Sequence, residues 1–140
     1  MKKRKKYAIT IVCILLLAFI SIYTVPKLRT LLFVNLYHEL IEENLKAGNG
    51  VPAAEAVFLG YKYVNSWEGA HPMTEFVIMT YGDTYYGCYY SPDDVPVAFQ
   101  NIDIPLTQDG EKLWKWSFEG DNQGLTSKIM ERWYFFKASF

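Results

Sequence analysis

Residues 75–90 read EFVIMTYGDTYYGCYY, and the reading of this stretch decides the fold class. Two runs rich in β-branched and aromatic residues, 75–81 and 84–90, flank Gly82-Asp83, a two-residue connection suited to a tight hairpin turn. Pairing Tyr81 with Thr84 sets a register in which Val77, Met79 and Tyr81 share a face with Thr84, Tyr86 and Cys88. Phe76, Ile78 and Thr80 then share the other face with Tyr85, Gly87 and Tyr89. Neither face is polar, so the hairpin is expected to be a central pair covered on both sides, on one by a helix.

Outward from the hairpin, the sequence continues to read as short strands and turns. Residues 56–66 (AVFLGYKYVNS) contain a strand, followed by a loop at 67–72 with Gly69 and His71. After the turn Ser91-Pro92-Asp93-Asp94, residues 97–100 form a short strand. Ile102, Ile104 and Leu106 alternate with Asp103 and Pro105, which suits an edge strand because Pro105 cannot donate to a ladder. Residues 113–119 (LWKWSFE) place Trp114, Trp116 and Phe118 on one face. The final segment is ambiguous: Leu125, Ile129, Trp133 and Phe136 fit a helix, whereas RWYFFKASF favours a strand. A helical turn at 126–130 followed by a strand at 132–139 is the expectation.

Before residue 51 the pattern is helical. Residues 7–25 (YAITIVCILLLAFISIYTV) carry no charge and have the length of a helix that crosses a hydrocarbon core. Lys2-Lys3-Arg4-Lys5-Lys6 precede it, and only Lys27 and Arg29 follow closely, so the N-terminus is expected on the cytoplasmic side. A cleaved signal peptide would begin in the same way. However, Ser21-Ile22-Tyr23-Thr24-Val25-Pro26 offers no well-placed pair of small residues for cleavage, and an uncleaved anchor is the preferred reading. Residues 27–47 are amphipathic, with Leu28, Leu32, Leu36 and Leu40 in one row and Phe33, Tyr37, Ile41 and Leu45 in a second. Arg29, Asn35, Glu39, Glu42, Glu43 and Lys46 take the polar positions, and His38 reads as a solvated residue among them. Gly48-Asn49-Gly50 ends this helix. Its apolar stripe packs on the protein's own sheet, docks a protein partner or second copy through Leu28, Leu32, Leu36 and Leu40, or lies in the membrane interface. The last is least favoured, because the polar face is mainly acidic.

The plan is therefore α+β. It comprises a basic tail at 1–6, a transmembrane helix at 7–25, an amphipathic helix at 27–47 and an antiparallel, aromatic-rich β domain at 51–140. Composition agrees: eleven Tyr, nine Phe and four Trp lie mostly beyond residue 57, where they favour pleated structure. The basic run alone carries +5, while the remainder, with 9 basic and 15 acidic residues, carries −6. A domain of that sign repels polyanions, and no nucleic acid is expected as partner.

Chemistry is sparse. The two histidines are His38 and His71, and no HExxH, GxSxG, CxxC or glycine-rich phosphate loop appears. Cys13 lies in the apolar span and Cys88 in a strand, so no internal disulfide is expected. Cys88 reads as a buried, inert thiol; a Cys88–His71 pair is the one conceivable catalytic arrangement. Asp93, Asp94, Asp103, Asp109, Glu111, Asp121 and Asn122 lack the spacing of a calcium loop and read as turn residues, so neither metal nor cofactor is expected. Trp67, Trp114, Trp116 and Trp133 are the candidate binding surface, since indole faces beside Asp and Asn suit sugars such as cell-wall glycans.

The stretch from Tyr85 to Phe140, above all YYGCYYSPDDVPVAFQ, GDNQG and ERWYFFKASF, resembles small uncharacterised membrane-anchored proteins of Gram-positive bacteria of the clostridial group. The resemblance covers the C-terminal half and the general plan of basic start, anchor and domain. It implies a bacterial cell membrane and carries over no activity and no functional residue. The expectation is a non-catalytic accessory or binding protein facing away from the cytoplasm. The alternatives are a small enzyme or thiol-active protein using Cys88 and His71, or a structural subunit docking through the 27–47 helix.

Overall fold

The computed structural model describes residues 2–140; Met1 and the side chains of residues 2–5 and 56 lie outside that description. The basic run expected on the cytoplasmic side thus falls outside it, apart from its backbone and Lys6. Helix α1 (Lys2–Thr24) begins earlier than the uncharged stretch does. Its segment Lys6–Thr24, mean hydropathy 2.3, buries none of its side chains, and by length and composition it can cross a membrane. Val25 is extended (φ −96°, ψ 105°) and separates α1 from α2 (Pro26–Lys46). Pro26 explains both facts: it excludes the preceding residue from the helical region and itself suits the first helical position. At the far end, Gly48 (φ +72°) closes α2, with its N–H donating to the Leu45 carbonyl and that of Asn49 to the Asn44 carbonyl.

Seven strands follow: β1 (Tyr63–Trp67), β2 (Met73–Tyr81), β3 (Thr84–Tyr90), β4 (Thr107–Gln108), β5 (Leu113–Ser117), β6 (Gln123–Met130) and β7 (Trp133–Ser139). They form one antiparallel sheet in the order β1-β2-β3-β7-β6-β5-β4. The protein is α+β, as its residue pattern indicates, and the 75–90 hairpin is a central pair covered on both faces. On one face, Phe33, Val34 and Ile41 of α2 pack on Phe76, Ile78, Met79, Cys88, Tyr90 and Trp133. On the other, Val97, Ala98 and Phe99 lie over Met73, Val77, Tyr89, Tyr134 and Phe136. We call these the helix face and the strap face.

Several expectations need correction. Tyr81 pairs with Thr84 and Met79 with Tyr86 as the turn dictates, but a bulge at Ile78 shifts the rest, so Val77 pairs with Gly87 and Phe76 with Cys88. Beyond the bulge the faces exchange: Phe76 joins Cys88 under α2, and Val77 joins Tyr89 under the strap. Gly87 sits where a Cβ would fall 1.9 Å from the Phe76 carbonyl oxygen, so no side chain fits there.

The strap is not a pair of strands. Residues 97–100 and 102–106 cross the sheet irregularly, and only Thr107–Gln108 joins it, at the edge. Gln100 and Asn101 both have positive φ (55° and 52°), which no extended ladder accommodates. The helical turn at 126–130 is also absent, because residues 123–130 are β6, paired with β5 on one side and β7 on the other. Ladder bonds on both sides override the chance helical spacing of Leu125 and Ile129. The turn at Glu131-Arg132 then closes a second hairpin, with Arg132 at φ 64°.

The helix packs by its second row. Phe33 and Ile41 are buried, whereas Leu28, Leu36 and Leu40 stay exposed. Glu42, placed by pattern on the polar face, is buried too: its carboxylate accepts from Trp133 Nε1 (3.0 Å), Arg132 Nη2 (3.2 Å) and Lys46 Nζ (3.3 Å).

Candidate functional site

Two ends of the sheet differ in character. Tyr81, at the tip of the β2–β3 hairpin, donates its hydroxyl to the Thr24 carbonyl (3.2 Å), so α1 leaves from that end. The connections at 68–72, 91–94, 109–112 and 131–132 gather at the other end. There, on the strap face, lies a cleft of about 380 Å³ between residues 68–71 and 96–106. Its polar lining comes from Glu68, His71, Asn101 and Asp103. His71 Nδ1 lies 3.7 Å from Asp93 Oδ2 with both side chains half exposed, and Asn101 Nδ2 donates to the Glu68 carbonyl (3.4 Å).

Behind the strap sits a buried carboxyl. Glu75 lies in register between Asn65 of β1 and Tyr89 of β3 and exposes none of its side chain. Oε2 accepts from the Gln100 N–H (2.9 Å), while Oε1 has no partner. Burial pushes this carboxyl up to about 7; the Gln100 N–H and the Asn65 side chain only partly offset the desolvation. The indole N–H of Trp67, which flanks the cleft's Glu68, is likewise buried and unpartnered. One of the bonds that tie the strap to the sheet is therefore made to a carboxyl that titrates near neutrality.

A second polar cluster locks the turn that leads into the strap. Asp94, at φ 55°, accepts from the Arg132 N–H (2.7 Å) and from Tyr134 (3.0 Å), and it pairs with Lys128. Partial burial opposes ionisation, but these donors outweigh it and hold the carboxyl below its ordinary range. Tyr89 completes the attachment by accepting from the Val97 N–H (2.9 Å), with Thr126 Oγ1 at 2.7 Å. Replacing Asp94 by Ala is expected to lower unfolding free energy by about 1–2 kcal/mol at neutral pH. Because the folded-state value is depressed, this contribution is present above the ordinary Asp range and disappears as pH falls through the folded value. Urea titrations at pH 7 and pH 3 check the sign.

The four tryptophans do not make one platform. Trp133 is fully buried under α2, and Trp116 is buried on the strap face. Trp67 and Trp114 are half-buried, packed against the strap-face core. The proposed sugar-stacking surface is thus divided between two faces and largely used for packing. Cys88 is fully buried in the helix-face cluster, and burial pushes its thiol well above the ordinary value, with Glu75 adding to the effect. His71 is paired instead with Asp93. In the native protein Cys88 is expected to resist alkylation by a water-soluble maleimide until denaturant is added, as mass spectrometry would show. Ready native labelling would contradict the packing described.

Among the described residues no group of three or more His, Cys, Asp or Glu side chains is disposed to hold a metal ion. Of the acidic residues read as turn residues, Asp93 faces His71, Asp94 is engaged as above and Asp109 pairs with Lys115. Pattern reading missed Glu75, although a signal was present: a glutamate opening a strand with two apolar faces has to be buried. Glu42 had no such signal. No protein-family model, curated protein or solved structure matches the chain.

Proposed function

We propose that this chain is a membrane-anchored accessory or binding domain without catalytic activity, facing away from the cytoplasm with its cleft turned toward whatever lies beyond the membrane. The disposition of the two ends carries this reading: an apolar helix with no buried side chain leaves one end of the sheet, and the polar-lined cleft opens at the other. A bacterial cell membrane, as the resemblance in the C-terminal half implies, is the setting. A cell-wall glycan is the ligand class to try first, since the cleft offers Asn101, Asp103 and His71 beside half-buried Trp67.

The test is topological and then biochemical. A cysteine placed at Glu111, in an exposed distal turn, should label in intact cells with an impermeant maleimide. Protection of that site until the cells are opened would defeat the proposal. Binding is read by titrating soluble cell-wall fragments while following tryptophan emission, with Asn101→Ala as the cleft variant.

A second reading, docking to a protein partner, has its own support. The sheet uses the Phe33 row of α2 and leaves Leu28, Leu36 and Leu40 uncovered just beyond the anchor. Cross-linking at these positions, compared with a Leu36→Ser Leu40→Ser variant, separates it from the first.

A further inference from the structure

We propose that the end of the sheet from which α1 leaves is itself a membrane-contacting surface, seated in the headgroup layer of the bilayer that α1 crosses. The inference rests on the reading of α1 as an anchor and extends it to the folded domain.

The strand register brings the relevant residues to one end. Tyr81 is opposite Thr84, Thr84 opposite Ser139, Ser139 opposite Gln123, and Gln123 opposite Ser117. Phe140 and Phe118 directly follow two members of this row, and the Phe140 N–H donates to the Asp83 carbonyl (3.1 Å). Phe58 joins them from the segment before β1. Leu59 turns inward at φ 59° and is buried, while the Gly60 carbonyl accepts from Arg29 Nη2 (3.2 Å) at the start of α2. Among the described residues that follow α2, six large apolar side chains are exposed. Four of them belong to this end: Phe58 (62%), Phe118 (53%), Tyr81 (50%) and Phe140 (40%). The distal connections instead expose Glu68, Asp93, Asp109, Glu111 and Glu131.

Attachment to α1 leaves this end no room to stand off. A single residue, Val25, separates the two helices. Tyr81 bonds to the last residue of α1, and the Arg29 guanidinium lies 5.7 Å from the Tyr23 ring centroid, on α1 itself. When α1 spans a bilayer, the aromatic tips lie level with its exit, where rings with an apolar body and a polar surrounding are favoured. Charges of both signs neighbour these tips in the chain, Asp83, Glu119 and Asp121 as well as Lys27, Arg29 and Lys62, so a zwitterionic headgroup layer is the surface to test. A protein partner would need its own complementary patch, whereas the bilayer is already present at this height.

The test uses the full chain in phosphatidylcholine nanodiscs, with an environment-sensitive fluorophore on single cysteines in a Cys13→Ala background; Cys88 is buried and stays unlabelled. Labels at Phe58→Cys and Phe118→Cys are expected to emit to the blue and to lose most of their intensity when the lipid is brominated near the headgroup. A label at Glu111→Cys should do neither, and one at Ile14→Cys should be quenched by bromine deeper in the acyl chain. Quenching at Ile14 without quenching at Phe58 and Phe118 overturns the seating and leaves the anchor intact. A blue shift at Phe58 and Phe118 without bromine quenching means that protein covers this end, and it overturns the proposal equally. Absence of quenching at Ile14 removes the anchor and the seating together.

Discussion

Replacing Glu75 by Gln is expected to stabilise the protein by about 2–3 kcal/mol at pH 8.5 and to flatten its pH dependence between pH 5 and pH 8.5. The carboxyl sits at about 7 in the folded chain against an ordinary 4.5, because burial disfavours its charge more than its hydrogen-bond partners favour it. Since the folded-state value is the higher one, the associated stability is complete below about pH 4.5 and is lost as pH rises through about 7. Linkage converts the difference to about 3 kcal/mol. Glutamine keeps an oxygen for the Gln100 N–H and carries no charge to bury. Asp94 titrates at lower pH, so it does not blur this window. Urea unfolding of the full chain in micelles at pH 5, 7 and 8.5 reads the effect; wild type and variant falling in parallel would show that Glu75 is not the responsible group. The same titration should loosen the strap: the Gln100 N–H favours the carboxylate, but the larger desolvation cost is relieved only when the segment over Glu75 lifts and admits water. Faster amide exchange at 99–102 above pH 7 in the wild type alone is the local counterpart.

The second large effect is expected at Glu42. Its removal as Glu42→Ala should lower stability by about 3 kcal/mol, because it strips the fully buried Trp133 indole N–H of its acceptor and takes the carboxylate from a partly enclosed cluster. Tryptophan emission should shift to the red as water reaches Trp133. Glu42→Gln, which keeps one acceptor for the indole, should lose about half as much. A loss below about 1 kcal/mol for the alanine variant would mean that α2 is held by its apolar row alone. Arg132 gives this cluster its reach: its side chain pairs with Glu42 on the helix face, and its backbone N–H donates to Asp94, which leads into the strap. Layers on opposite faces are thus joined at one turn.

How much of this was legible depends on how local the cause is. The hairpin tip was readable, since Gly82-Asp83 leaves one pairing for Tyr81 and Thr84. The bulge three residues farther was not, because it arises where the glycine backbone at 87 meets Phe76 and the Phe136 ring, a contact between three strands. The α2 boundaries were readable from Pro26 and Gly48. Which of its two apolar rows would pack was not, because that choice is made against distant strands, as where Glu42 meets Trp133, 91 residues along the chain. The irregular strap was misread as strands because the positive φ of Gln100 and Asn101, beside the bond to Glu75 and buried Phe99, has no signal in the local sequence.

By itself, then, the sequence determined a helix able to span a membrane, an amphipathic helix starting at Pro26, and an antiparallel aromatic sheet centred on residues 75–90. Each follows from periodicity or turn chemistry within a few residues. Tertiary structure alone decided which face of α2 is buried, where the strap runs, that Glu75 is held near neutrality, and that the exposed aromatics collect at the end where α1 leaves. Those outcomes depend on strand order and on burial, and both are set by contacts between segments far apart in the chain.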